Sequence, residues 1–379
     1  MKKIIRATTI PQSLDTFCKG MLKELSKTYE VIALSSPGEA LDSLGAREGV
    51  RTIAVPMERR VSIIRDCKAL LEVWAVFRKE KPYMVHSMTP KAGLICMIAA
   101  WLAHVPLRLH TFTGLVFPTS TGFKRMILKI TDSLTCACAT HIIPEGEGVK
   151  NDLINYRVTK KPLKVLGFGN VRGVDLTFYE RSVEVDNKAS AIRDPSKFTF
   201  LFVGRIVRDK GINELIDAFK KLAVNYPNSR LFLIGRFEDD LDPISEDTRN
   251  TIRRMASIIS VGEKFDMDLL AYYAASDCFI LPSYREGFPN TVLEAGAMGL
   301  PCIVTDINGS REIIIDGYNG VIVPPYDSDK LYEAMRWMID NPQERISMAS
   351  VARKHIAARY EQGFVRQCLY EYYQQIMAS

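Results

Sequence analysis

The sequence carries no cysteine framework. Its eight cysteines (Cys18, Cys67, Cys96, Cys136, Cys138, Cys278, Cys302 and Cys368) are scattered, without a C-x-x-C pair or a neighbouring histidine ladder. That excludes a zinc module and a disulfide-stapled domain and leaves reduced core thiols. Long apolar runs are missing too. The longest uncharged stretch of the N-terminal half, 92–107, contains His104 and Pro106 and falls short of the ~20 apolar residues a spanning helix needs. The opening MKKIIRATTIPQ is basic but lacks an apolar signal segment, so a cytoplasmic chain is expected. No repeat and no low-complexity tract interrupts the sequence. What remains is 379 residues, 47% apolar and 25% charged, a globular composition long enough for two domains.

Charge is unevenly spread. Residues 1–175 hold 26 Lys and Arg against 15 Asp and Glu, a balance of +11, whereas 176–379 hold 24 against 29, a balance of −5. A basic half beside an acidic half argues against a nucleic-acid coat and suits one domain that meets an anionic surface or substrate.

Both halves alternate strand and helix patterns, the signature of parallel α/β sheets. In the first half the spacing predicts strands at 3–7, 30–35, 83–86, 107–112 and 142–143, and helices over 14–26, 61–78, 92–103 and 122–139. Ile64, Cys67, Leu71, Trp74 and Phe77 recur at helical spacing and read as the apolar face of 61–78. Residues 162–175 read as a strand running into glycine-rich chain, and polar 176–197 as a linker. The second half restarts with strands at 198–203, 230–234, 257–261, 277–282, 301–305 and 320–323. Helices are expected over 212–226, 245–256, 290–298, from 328 onward and around 356–376. Two doubly wound Rossmann-like domains, 1–175 and 198–357, imply a ligand cleft at the carboxyl ends of their sheets.

The most informative run is 283–319, SYREGFPNTVLEAGAMGLPCIVTDINGSREIIIDGYN, directly after the apolar strand CFILP. Glu286 sits on the loop and Glu294 inside the following helix, with the amides of Gly287, Phe288, Asn290 and Thr291 between them. Helix N-terminal amides bind phosphate oxygens, and carboxylates accept hydrogen bonds from sugar hydroxyls. A ligand with ribose, diphosphate and hexose in sequence would use all three. A helix-start carboxylate and a solvated helix glutamate would explain either residue alone, but not the run. The second cluster is FVGRIVRDKG, 202–211. Gly204 ends a strand, and Arg205 and Lys210 share one strand–helix loop, where a fork and a point charge can clamp a diphosphate.

The loop G-R-x-x-x-x-K-G around Arg205 and Lys210, followed from Glu286 by E-G-F-P-N-x-x-x-E-A, closely resembles the retaining glycosyltransferases of family 4, which have the GT-B fold. TTIPQSLDTFCKGMLKEL, HSMTPKAGL, TFTGLVFPTSTGFKR and KVLGFGNVRGVD are similar to the family's N-domain. The likeness is greatest to the bacterial branch that builds capsule, O-antigen and lipid-linked oligosaccharides. The resemblance implies catalytic roles for Arg205, Lys210 and Glu286. Arg205 and Lys210 would hold the donor diphosphate, Glu286 the donor sugar hydroxyls and Glu294 the ribose. Gly204, Gly287, Phe288, Pro289, Asn290 and Thr291 complete the donor-binding set. It further implies a UDP-sugar donor, a polyprenyl-diphosphate-linked glycan acceptor, and a C-terminal helix, about 358–379, that packs back on the N-domain.

One position departs from the pattern. Many relatives carry a histidine before the glycine of H-T-F-T-G-L, where this chain has Thr113, so His110 reads as structural. Candidates on the acceptor side are His86, Thr113, Gly114, Lys124, Gly169 and Asn170. G-F-G-N-V-R-G, 167–173, has the wrong spacing for a dinucleotide fingerprint. Asp266-Met-Asp268 reads as a helix cap rather than a metal site. The segment 122–139 joins Met126, Ile127, Leu128 and Ile130 with Lys124, Arg125 and Lys129, which suits either a core helix or rest on anionic lipid. With the resemblance, it is expected to sit peripherally on the inner face of the membrane. No carboxylate pair offers a nucleophile and an acid, so front-face displacement fits better than double displacement, and no metal or other cofactor is expected. Competing readings are a UDP-sugar epimerase, a non-catalytic sugar-nucleotide-binding protein and an NAD-dependent dehydrogenase.

Overall fold

The computed structural model describes residues 1–58, 62–240 and 242–378. Val61, where one helix was expected to begin, and Ser379 lie outside the described residues. The chain divides into two units: Met1–Gly173 with the residues from Gly363 on, and Val174–Gln362.

The first unit is built on strands β1 (Lys3–Ala7), β2 (Glu30–Ser35), β3 (Arg51–Ala54), β4 (Met84–Met88), β5 (Leu107–Phe112) and β6 (His141–Pro144), in the order β3-β2-β1-β4-β5-β6. All pairs are parallel; Ile5 of β1 faces Ile32 on one side and Val85 on the other. Parallel sheets are covered on both faces, so their strands are apolar almost without interruption. The one charged side chain inside β1 that is buried, Arg6, is therefore costly and needs partners. Its Nη1 donates to Tyr373 Oη at 2.5 Å and to His86 Nδ1 at 2.9 Å, while its Nη2 reaches Met88 and Cys18 sulfurs. Tyr373 lies on the helix Gln362–Ala378, so this network fastens the C-terminal helix to the sheet. Gly93 serves a close approach: a Cβ there would stand 2.3 Å from the His110 ring.

The second unit repeats the plan with β7 (Phe198–Val203), β8 (Ser229–Ile234), β9 (Ile258–Gly262), β10 (Cys278–Leu281), β11 (Cys302–Thr305) and β12 (Gly320–Val323), ordered β12-β11-β10-β7-β8-β9. Phe200, Leu201, Phe202, Phe279 and Ile280 are wholly buried at its centre. Each parallel sheet reverses its direction of growth beside its first strand, and loops at the carboxyl ends of the strands there are the usual place for a ligand.

Several expectations need correction. The stretch 176–197 is no linker: it contains the helix Val183–Ile192, capped by Ser182, and belongs to the second unit. Buried Val185 and Ala189 explain why, since they give this polar segment one apolar side. The predicted helix 14–26 is two, Pro11–Cys18 and Met21–Ser26, broken where Gly20 turns left-handed at φ 74°. Around 356–376 there are likewise two helices, Pro342–Tyr360 and Gln362–Ala378, parted at Glu361, and residues 358–362 stay with the second unit. Residues 162–175 form no strand beyond two isolated bridges, Leu163 to Ile142 and Val174 to Glu361. The apolar stripe assigned to 61–78 is mostly solvent-facing. In the helix Ile63–Glu80 the buried positions are Ala69, Val73 and Phe77, while Ile64 is 85% and Leu71 64% exposed.

Candidate active site

The second unit gathers the predicted donor residues at the carboxyl ends of β7 and β10. Gly211 makes the gathering possible. It sits at φ 69°, and a Cβ there would lie 2.0 Å from the Pro282 carbonyl oxygen, so only glycine lets the two loops touch. Lys210 Nζ and Glu286 Oε1 form an ion pair across that contact. Glu286 also accepts from Ser283 Oγ at 2.7 Å, and the Ser283 carbonyl is held by Thr305 Oγ1 at 2.5 Å. Both members of the pair keep some solvent access, 17% for the Lys210 side chain and 14% for Glu286, so a ligand can reach them.

The helix Asn290–Ala297 opens immediately after, with Pro289 in the capping position and no side-chain cap. Among the described residues the amides of Gly287, Phe288 and Thr291 meet no backbone carbonyl. An uncapped helix start of this kind favours an anion. Gly309, at φ 72°, presses the loop after β11 against it; a Cβ there would be 2.4 Å from the Gly287 carbonyl oxygen.

Arg205 does not face the Lys210–Glu286 pair in the same way. Its Nη1 binds Glu238 Oε2 at 2.7 Å, and Arg236 holds the other oxygen of Glu238 at 2.8 Å. Burial works against the Arg205 charge, but the Glu238 bond and the charges of Glu238, Asp209 and Glu286 together outweigh it and raise its pKa, so the guanidinium is firmly cationic. Glu294 is 5% exposed and accepts from Tyr273 Oη at 3.1 Å. Burial and the Glu294 charge together push the Tyr273 phenol well up, which keeps it a donor. Ser283, Thr305, Glu238, Tyr273 and Gly309 escaped the sequence reading. Only Ser283, Thr305 and Gly309 lay inside the run already singled out; Tyr273 and Glu238 come from distant elements with no local signature.

The residues expected on the acceptor side lie in the first unit and are not all what the sequence suggested. His86 is not at a strand end open to ligand. It sits mid-strand in β4, 1% exposed, with Nδ1 on Arg6 and Tyr373 and Nε2 2.7 Å from Thr111 Oγ1. Burial, then the Arg6 and His110 charges, drive its pKa well below the ordinary value. Asn170, also buried, turns its Oδ1 into its own loop, accepting from the amides of Arg172 (2.9 Å) and Gly173 (2.6 Å). Gly167, Gly169, Asn170 and Gly173 all have positive φ, so the glycines of this loop serve its winding. Gly169 is buried, Thr113 and Gly114 are half-buried, and Lys124 is exposed. His110 bonds Ser87 Oγ at 2.9 Å in the core, a structural role. Asp266 and Asp268 are not caps by side chain: Phe265 holds the capping position, and Asp268 pairs with Lys188 at 2.7 Å.

Two parallel α/β units, one with a lysine–carboxylate pair beside an uncapped helix, have the plan of the GT-B fold. Residues 184–355 match the family Glycosyl transferases group 1, and residues 16–169 match the Glycosyl transferase 4-like domain. The chain is 30% identical, over 96% of its length and 94% of the relative's, to the capsular polysaccharide biosynthesis glycosyltransferase CapM of Staphylococcus aureus. It is also 30% identical, over 78% of its length and 76% of the relative's, to an Escherichia coli enzyme, UDP-Gal:alpha-D-GlcNAc-diphosphoundecaprenol alpha-1,3-galactosyltransferase. In fold it is similar to HepE of Anabaena in complex with UDP and glucose, with a TM-score of 0.83 at 17% identity, covering 99% of this chain and all of that one (100%). The chain belongs to the family 4 glycosyltransferases, in the group that contains capsule and lipid-linked sugar transferases.

Proposed function

We propose that this glycosyltransferase moves a hexose or N-acetylhexosamine from a UDP-sugar to a polyprenyl-diphosphate-linked glycan in bacterial surface polysaccharide synthesis, with retention of configuration. The observation that carries the reading is the Lys210–Glu286 pair beside the amides of Gly287, Phe288 and Thr291, which among the described residues meet no backbone carbonyl. An incoming diphosphate competes with Glu286 for Lys210 and lies against the helix start. Glu286, released, accepts hydrogen bonds from the donor sugar. Buried Glu294 is set to receive ribose hydroxyls. The relative that takes UDP-Gal and a diphosphoundecaprenol-linked acceptor supports the choice of both substrates.

In the reaction the acceptor oxygen bonds to the anomeric carbon on the face from which the diphosphate departs. The bond from that carbon to the diphosphate oxygen breaks, and the hydroxyl proton passes to the diphosphate. Arg205 and Lys210 stabilise the charge that develops there, and electrostatic stabilisation of this kind usually contributes most to the rate. Two fixed cations replace a metal ion in this scheme.

Thermal unfolding with UDP, GDP, ADP and NAD, each with and without EDTA, tests the donor site. UDP at ~100 times its dissociation constant adds roughly 2.7 kcal/mol and raises the midpoint, with or without EDTA. Stabilisation by NAD alone, or by none of the four, overturns the reading. UDP release that requires a lipid-linked acceptor separates transfer from epimerisation of the sugar nucleotide.

The helix Gly122–Cys138 adds a membrane face to the proposal. Phe123, Met126, Ile127, Ile130 and Leu134 form one stripe and are all exposed, Phe123 by 70%, with Lys124, Arg125 and Lys129 alongside. Among the described residues no helix is long and apolar enough to cross a membrane, so contact of this kind is peripheral. Such a stripe binds anionic bilayers through apolar burial and charge together. The protein should float with vesicles containing anionic lipid, and Ile130→Glu should abolish flotation. Equal recovery with neutral vesicles, or none with either, rejects the membrane face.

A further inference from the structure

Tyr326 follows β12 with a backbone φ of 62°, a left-handed conformation that a bulky side chain adopts only under constraint. Burial does not supply the compensation, because Tyr326 is 60% exposed. Its ring instead stacks on Tyr284, with centroids 3.9 Å apart and planes tilted by 30°. Tyr284 is fixed at both ends: its Oη donates to Glu214 Oε2 at 2.5 Å and its amide donates to the Asp209 carbonyl at 2.9 Å. Arg285, held by Asp209 at 2.8 Å, and Arg208 lie close enough to act electrostatically on the Tyr326 phenol. The result is an exposed aromatic ring, backed by a second, rimmed by charged hydrogen-bonding groups.

We infer that Tyr326, supported by Tyr284, is a stacking platform for a pyranose ring of one of the two sugar substrates. A pyranose offers a face of polarised C–H bonds to the negative face of an aromatic ring, and its hydroxyls reach outward to a polar rim. The inference rests on the proposed function for its placement. Tyr284 stands two residues before Glu286, the carboxylate assigned to the donor sugar, while the ribose carboxylate Glu294 lies beyond Glu286 along the same run. The Tyr284 amide bond to Asp209, the residue before Lys210, sets the platform beside the Lys210–Glu286 pair, at the end of the site assigned to the donor sugar. Either ring has the required chemistry.

Tyr326→Gly and Tyr326→Phe test this. Glycine removes the ring and relieves the backbone, so Tyr326→Gly should unfold roughly 2–4 °C higher than wild type. The same variant should raise one sugar-substrate KM by roughly five- to tenfold, leaving the UDP dissociation constant unchanged. A rise confined to the UDP-sugar assigns the platform to the donor hexose; one confined to the acceptor assigns it to the acceptor glycan. Tyr326→Phe, which keeps the ring, should behave as wild type in both. Unchanged KM values, an equal loss for UDP and UDP-sugar, or a lowered midpoint for Tyr326→Gly each overturn the inference. Failure of the wild-type protein to bind UDP overturns the proposed function and the platform together, whereas failure of the platform alone shows only in the variants.

Discussion

Lys210→Ala lowers turnover by about 100-fold or more while the protein still folds. The magnitude follows from where Lys210 stands. It is the cation that meets the loop of Glu286 directly, across the glycine contact at Gly211. In the proposed reaction charge accumulates on the leaving diphosphate as its bond to the sugar breaks, so loss of this cation would weaken the transition state more than the ground state. The fold survives because Glu286 keeps the Ser283 Oγ bond at 2.7 Å and retains access to water. Steady-state kinetics beside a melting curve decides the matter. A fall in kcat with little change in donor KM is expected, whereas a raised KM alone assigns Lys210 to uniform binding. Wild-type turnover in folded Lys210→Ala removes it from the diphosphate. Arginine at this position is not expected to rescue, because its planar fork replaces a compact point charge.

The second large effect is a dependence of stability on pH that arises in the first unit. Burial lowers the pKa of His110 to about 3, and burial with the Arg6 charge lowers that of His86. Unfolded, both take up a proton near pH 6.5. Below that value the unfolded state binds more protons than the folded one, and each histidine withdraws ~1.4 kcal/mol of stability per pH unit. Asp132 runs the other way. Burial raises its pKa to about 7, so between its unfolded value near 3.8 and about 7 the folded state holds the extra proton. Stability from Asp132 is therefore lost as pH rises through that window. Two histidines against one carboxyl leave a net loss of stability as the pH falls below 6.5. Asp132→Asn should raise stability at pH 8 by about 2 kcal/mol and steepen the acid slope. Denaturant midpoints between pH 4 and 8 report both effects. A flat profile in that range, or a less stable Asp132→Asn protein at pH 8, contradicts the account.

The legible parts of this protein are those whose cause is local. FTFLFV at β7, apolar but for Thr199, and CFIL at β10 are near-continuous apolar runs because a parallel sheet is covered on both faces. Glu286, Lys210 and Glu294 could be picked out because strand ends, glycines and helix starts fall at fixed offsets from them. The partner of each was not legible. Arg205 turns to Glu238, 33 positions away, and Glu294 to Tyr273, 21 positions before it, and nothing in either segment points at the other.

By itself the sequence determined two parallel α/β units, most of their strand positions (β3, Arg51–Ala54, escaped it) and the loops that carry the candidate chemistry. Only the tertiary structure decided which side of a helix is covered and which distant groups meet. Periodicity shows that Ile63–Glu80 has apolar stripes, but what packs against them chooses Val73 and Phe77 over Ile64 and Leu71. The polar segment around Val183–Ile192 reads as linker until a core receives Val185 and Ala189. Arg6 and Tyr373 are 367 positions apart, yet their bond ties the last helix to the first strand. Spacing records the geometry of one element, whereas burial and pairing depend on which other element arrives, and that is a property of the folded chain alone.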